Sequence, residues 1–122
     1  DEIEATIKVV DAEPLTDVVA IREHGDGFLV VESAAHRIRS IGPDGRERMR
    51  LGGKGSGKGE FNFPLDVALD NQGRIFVVDR DNHRIQRLSP EGVFERVGRP
   101  NVAMWLPVWE FTRPKSLIMD SM

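Results

Sequence analysis

The chain contains no cysteine and no tyrosine, only two tryptophans and three histidines, and no apolar run approaching the roughly 18 residues of a membrane helix. Missing thiols exclude disulfide staples, thiol nucleophiles and thiolate metal sites, and they leave oxidising and reducing compartments equally open. The acidic start from Asp1 to Glu4 has no apolar segment behind it, so neither a secretory leader nor a membrane partner is expected. What is present is ordinary globular usage: 39% hydrophobic and 30% charged residues over 122 positions, the length of a single domain.

The formal net charge of −3 conceals an asymmetry. Residues 1–35 carry nine acids against Lys8 and Arg22, whereas residues 36–58 carry seven bases against Asp44 and Glu47. The sum argues against a wholly basic nucleic-acid binder, but Arg46, Arg48 and Arg50 form a local basic candidate surface for a partner. Opposed patches also suit head-to-tail association of copies.

An internal repeat organises the sequence. Residues 28–45 (FLVVESAAHRIRSIGPDG) lie over residues 75–92 (IFVVDRDNHRIQRLSPEG) at a constant offset of 47 without a gap. Upstream, Val19, Ala20 and Ile21 align with Val67, Ala68 and Leu69 at an offset of 48, which puts one extra residue into the Gly25–Gly27 turn of the first copy. Residues 111–120 (FTRPKSLIMD) echo residues 61–70 (FNFPLDVALD), so a third copy begins there, and residues 5–10 (ATIKVV) alternate like a strand ahead of the first.

Each copy reads as short strands, because β-branched and apolar residues come in groups of four to six between Gly, Pro, Asp and Asn. Ile75–Val78 is a continuous apolar run suited to a middle strand buried on both faces. Turns are expected at 70–74, 79–83 and 89–92, giving four antiparallel strands per copy.

The glycine-rich lead GGKGSGKGEFNFP (52–64), followed by DVALDNQGRIFVVDRDNHRIQRLSPEG (66–92), resembles an NHL repeat. The first copy departs from that pattern: Glu32 replaces Asp79, Ala34 and Ala35 replace Asp81 and Asn82, and no proline equals Pro64. The resemblance implies an all-β fold of β-propeller blades, four-stranded antiparallel sheets forming an incomplete ring within one chain. On that reading residues 1–14 hold a strand of a preceding blade, 15–51 and 52–98 are two blades, and 99–122 are a linker with the first strand of a third. Propellers use about four to eight blades, so self-association is expected, with three copies giving six.

Chemistry-bearing motifs are sparse. Gly52, Gly57 and Lys58 fit part of a phosphate-binding loop, but Gly59 stands where Ser or Thr belongs and Pro64 forbids the helix that should follow. The cluster Asp79, Asn82, His83 and Arg84 reads as a structural turn rather than a cation loop, since one turn offers too few ligands. His24, His36 and His83 admit a zinc site in principle, though equivalent positions on successive blades keep His36 and His83 apart. No serine lies in a nucleophile-elbow setting. No catalytic residue, metal ligand or cofactor is therefore assigned.

Three functions stay open. The first is a non-catalytic interaction module that binds protein, with Trp105, Trp109 and Phe111 as aromatic anchors. The second is part of a metal-dependent lyase or lactonase of the kind that the resemblance also includes. The third is single-stranded RNA binding through Arg46, Arg48 and Arg50.

Overall fold

The computed structural model describes residues 7–99; Trp105, Trp109 and Phe111 lie outside the described residues. Two four-stranded antiparallel sheets follow one another, each a simple meander. The first consists of β1 (Val18–His24), β2 (Gly27–Glu32), β3 (Arg37–Ile41) and β4 (Glu47–Gly52). The second consists of β5 (Pro64–Leu69), β6 (Ile75–Asp79), β7 (Arg84–Leu88) and β8 (Phe94–Gly98). A single 3-10 turn joins β2 to β3 (Ser33–Ala35) and β6 to β7 (Arg80–Asn82).

Both 3-10 turns end on a left-handed histidine, His36 at φ 54° and His83 at φ 50°. Each histidine amide bonds back three residues, to Ser33 and Arg80 respectively, which closes the turn before the next strand begins. The apolar run 75–78 is the interior of β6, and every residue of that strand is buried, as a middle strand covered on both faces requires.

Strand pairing corrects the alignment of the first strands. Ile21 pairs with Val30 and Val67 with Val77, so Ile21 is the counterpart of Val67 and the offset there is 46, not 48. The turn between β1 and β2 is thus one residue shorter than its counterpart. Gly25 at φ 60° and Asp26 close a two-residue hairpin beyond the His24–Gly27 pair. The second sheet spends longer on the same reversal, with the Asp70 carboxylate accepting the amides of Gln72 and Arg74. A two-residue slip keeps every side chain on its own face, so only the depth along the strand changes.

The sheets pack face to face over one apolar cluster. The first sheet contributes Leu29, Val31, Ile38 and Leu51; the second contributes Val67, Ile75, Val77 and Leu88, with Phe61 from the connecting segment. Phe61 is completely buried, and burying one such side chain supplies about 1.5–3 kcal/mol.

Close packing explains one glycine in particular. A Cβ added at Gly92, which sits at φ +90°, would lie 2.2 Å from Leu51 Cδ2 and 3.3 Å from Met49 Sδ. The hairpin between β7 and β8 therefore seats directly on β4 of the sheet before it.

Candidate protein-interaction site

Polar chemistry inside the molecule is concentrated in two equivalent clusters, one per sheet. In the second, Asp79 ends β6 fully buried and accepts Arg84 Nε at 2.7 Å, Asn82 Nδ2 at 2.9 Å and the Asn62 amide at 2.8 Å. Arg84 then donates to the carbonyls of Ser56 at 2.9 Å, Gly57 at 2.7 Å and Glu60 at 2.9 Å. Gln86 caps the group by donating to Glu60 O at 2.7 Å and accepting the Gly59 amide at 2.9 Å.

In the first sheet Glu32 takes the place of Asp79 and Arg37 that of Arg84, with Arg37 Nε 2.9 Å from the Glu32 carboxylate. Arg39 takes the place of Gln86. It is completely buried, donates to Glu32 at 2.5 and 2.8 Å, and reaches the carbonyls of Glu13 at 2.8 Å and Pro14 at 3.1 Å. Thr16 completes the site by donating its amide to Glu32 at 2.9 Å. Each cluster thus grips the backbone that leads into its own sheet.

Electrostatics follow from this geometry. Burial opposes ionisation of Glu32, but hydrogen bonds from Arg39, Arg37 and the Thr16 amide outweigh it and bring the carboxyl down to about 2. Glu32 raises Arg39 in return. Outside the core, a hydrogen bond from Arg50 holds Glu13 down to about 2. Glu47 is lowered as well, first by Arg50 and then, against desolvation, by Arg39.

The candidate basic surface is occupied by acids. Arg46 lies 2.8 Å from Asp11, Arg48 lies 2.6 Å from Asp26, and Arg50 contacts both Glu13 and Glu47. The glycine lead is equally committed. The amides of Gly53, Gly55, Gly57 and Gly59 bond His36 O, Phe61 O, Glu60 Oε1 and Gln86 Oε1, and its carbonyls face Arg84, the reverse of a phosphate cradle.

The histidines are not brought together. His24 Nδ1 lies 3.0 Å from Ser40 Oγ, and burial, then Arg48, lowers its pKa. His36 belongs to the junction between sheets: its Nδ1 accepts the Phe63 amide at 3.0 Å, and its ring meets Phe63 edge-on at 4.6 Å. Among the described residues no group of three His, Cys, Asp or Glu is arranged to hold a metal ion.

Sequence reasoning missed the exposed apolar row on β1. Val18, Val19 and Ile21 stand open to solvent, Ile21 at 45%, whereas its counterpart Val67 is at 0% under the first sheet. The repeat carried the signal, because a position that is core in one copy and bare in the other has, among the described residues, no sheet over it like the one that covers its counterpart. Arg39 was missed too, although its match to Gln86 already set it on a face that is buried in the second copy.

A family model of the NHL repeat matches residues 61–88. The chain is 42% identical over 87 residues, 70% of its length, to the E3 ubiquitin-protein ligase TRIM71 of Mus musculus. It is 40% identical over 91 residues, 73% of its length, to NHL repeat-containing protein 3 of Homo sapiens. These matches cover 10% and 23% of the relatives, so the chain spans a small part of their length. A solved Bacteroides fragilis protein shares the fold with a TM-score of 0.67 at 24% identity, over 76% of this chain and 27% of that one. With the repeat matched in sequence and both sheets paired as four-stranded antiparallel meanders, the chain carries an NHL repeat and has an all-β fold of two blade-like sheets, consistent with a propeller-like fold.

Proposed function

We propose that this chain is a non-catalytic NHL-repeat module that binds protein partners, in a propeller completed by further NHL blades. The observation that supports it is the bare apolar row Val18, Val19 and Ile21 on β1, an edge strand of the first sheet, set on a scaffold whose buried charges are spent on one another and on its own backbone. Two relatives are named as ubiquitin-protein ligases, and such chemistry needs a protein to be held. Self-association of copies and docking of separate NHL sheets would both complete the ring. Arg46, Arg48 and Arg50 each face a carboxylate, which weighs against the RNA reading.

The test is affinity capture with the intact chain, followed by titration of the purified captured protein. Saturable binding that weakens at least about tenfold in Ile21→Asp, as expected for a charge forced into an apolar contact, supports the module. Capture only of nucleic acid, with affinity falling steeply as salt rises, would overturn it.

A further inference from the structure

The glycine-rich lead alternates two kinds of residue, and the fold uses only one of them. Gly53, Gly55, Gly57 and Gly59 give their amides to His36 O, Phe61 O, Glu60 Oε1 and Gln86 Oε1. A Cβ at Gly55 or Gly57 would lie 2.2 or 2.8 Å from Glu60 Oε1, and Gly53 and Gly59 stand at φ +119° and +78°, where a side chain is strained. The odd positions are therefore glycine for structural reasons. Arg84 fixes the loop further by binding the carbonyls of Ser56 and Gly57 at 2.9 and 2.7 Å.

The even positions are Lys54, Ser56 and Lys58, and all three are exposed. Lys58 Nζ stands 5.6 Å from the Phe94 ring centroid. Among the described residues neither lysine has an ion-pair partner and the Ser56 hydroxyl has no hydrogen-bond partner. Nothing in the packing asks for lysine, serine and lysine at these places. What the sequence supplies there is a free primary hydroxyl with a cation two residues away on each side. Two surface lysines alone make no anion cradle, because the glycine amides that such a cradle would use are already bonded. A phosphoryl acceptor needs none of those amides, only an open hydroxyl and flanking charge for an enzyme to read.

We propose that Ser56 is a phosphorylation site, modified by a serine kinase whose substrate groove carries carboxylates that receive Lys54 and Lys58. Ser56 Oγ attacks the γ-phosphorus of ATP while its proton passes to the carboxylate base of the kinase. The bond from that phosphorus to the bridging oxygen breaks, and ADP leaves with the electron pair. The phosphoserine carries about −1.5 to −2 charges and cancels most of the charge of the two lysines. The connection between the sheets thus changes its charge while the buried Arg84–Asp79 pair stays as it is. The inference goes beyond the interaction-module reading and does not draw on the β1 row, so the two stand or fall separately.

The test incubates the intact chain with magnesium, ATP and the catalytic domain of a serine/threonine kinase directed to basic sequences, and locates the phosphate by fragment mass spectrometry. Phosphate on Ser56, absent from Ser56→Ala, is the expected result. Lys54→Ala combined with Lys58→Ala should lower kcat/KM at least about tenfold, as the loss of charge-assisted contacts does. The same pair of changes should leave the unfolding constant in urea within about twofold, as exposed sites do, which separates recognition from folding. A chain left unmodified while an unstructured peptide of residues 50–62 takes the phosphate would overturn the proposal, because the fold would then withhold the hydroxyl. A peptide refused as well would overturn it too, because the lysines would then not be read. So would phosphate confined to Ser116 or Ser121, or a rate at Ser56 indifferent to both lysines.

Discussion

The segment ahead of the second blade is long and glycine-rich, and its carbonyls curl onto Arg84 from three residues. The segment ahead of the first blade has no such loop, and Arg39, standing where the second blade has neutral Gln86, reaches across to Glu13 and Pro14 instead. Loss of the loop and gain of the arginine belong together: a shorter connection leaves space and bare carbonyls, and a longer cationic side chain fills the one while satisfying the other. Glu32, one methylene longer than Asp79, then serves two guanidinium groups rather than one. The same fold is held by a charge-dense clasp in one blade and a backbone-rich one in the other.

The largest expected break in that comparison is Arg39→Ala. It leaves Glu32 buried with one of its two guanidinium partners gone, and removing one member of a buried pair costs about 3–5 kcal/mol. Gln86→Ala, at the equivalent position, removes hydrogen bonds to Glu60 O and from the Gly59 amide and a longer one to Asp79, which keeps Arg84 and Asn82, for about 1–2 kcal/mol. Urea unfolding of the two variants side by side measures the difference. Equal losses would mean that the clasps are not electrostatically distinct.

Acid distinguishes the same cluster in the unmodified chain. Glu32 is lowered from 4.5 to about 2 in the folded state, so it releases its proton more readily folded than unfolded. Its stabilisation is complete above pH 4.5 and is lost as pH falls toward 2. Glu13 and Glu47 shift the same way, so loosening in that window is expected at residues 13–16 and at β3. Hydrogen exchange of the Thr16 amide between pH 5 and 2.5, corrected for the intrinsic pH dependence of exchange, checks it; protection that stays constant would refute the clasp.

Packing gives the next effect. Gly92→Ala forces a methyl against the Leu51 side chain at a positive φ, for about 1–3 kcal/mol. Gly45→Ala meets the Lys8 carbonyl instead, so it should release Ile7–Val10 and expose the Val10 amide to exchange before it lowers global stability. A global loss equal to that of Gly92→Ala would show that Ile7–Val10 are as integral to the core as β4 is.

Much of this was legible in the sequence because the repeat is gapless from Phe28 to Gly45 and from Ile75 to Gly92, which fixes the two middle strands of each sheet and the turn after each. The first strand was misaligned by two residues, since Val-Ala-Ile and Val-Ala-Leu look alike and an even slip preserves the apolar alternation. Only hydrogen-bond register separates those alignments. Arg46, Arg48 and Arg50 looked like a basic surface because their acids Asp11, Asp26 and Glu13 lie 22 to 37 residues away in sequence.

The smallest effect concerns one of those pairs. Arg48 and Asp26 are both largely exposed, and an exposed ion pair contributes about 0–1 kcal/mol, so Asp26→Ala should leave urea unfolding almost unchanged. Arg48 also helps to lower the His24 pKa, after the larger contribution of burial. Arg48→Ala should therefore move His24 part of the way back toward 6.5 while stability at neutral pH stays the same. A depressed histidine is neutral in the fold and stabilises it fully above pH 6.5, with the stabilisation falling as pH drops through the folded pKa; Arg48→Ala should narrow that window from its acidic end. NMR titration of the His24 ring in both chains decides the matter. A titration unmoved by Arg48→Ala would assign the whole shift to burial beside Ser40, and would leave the outer-strand arginines of the first blade with no influence beyond their own carboxylates.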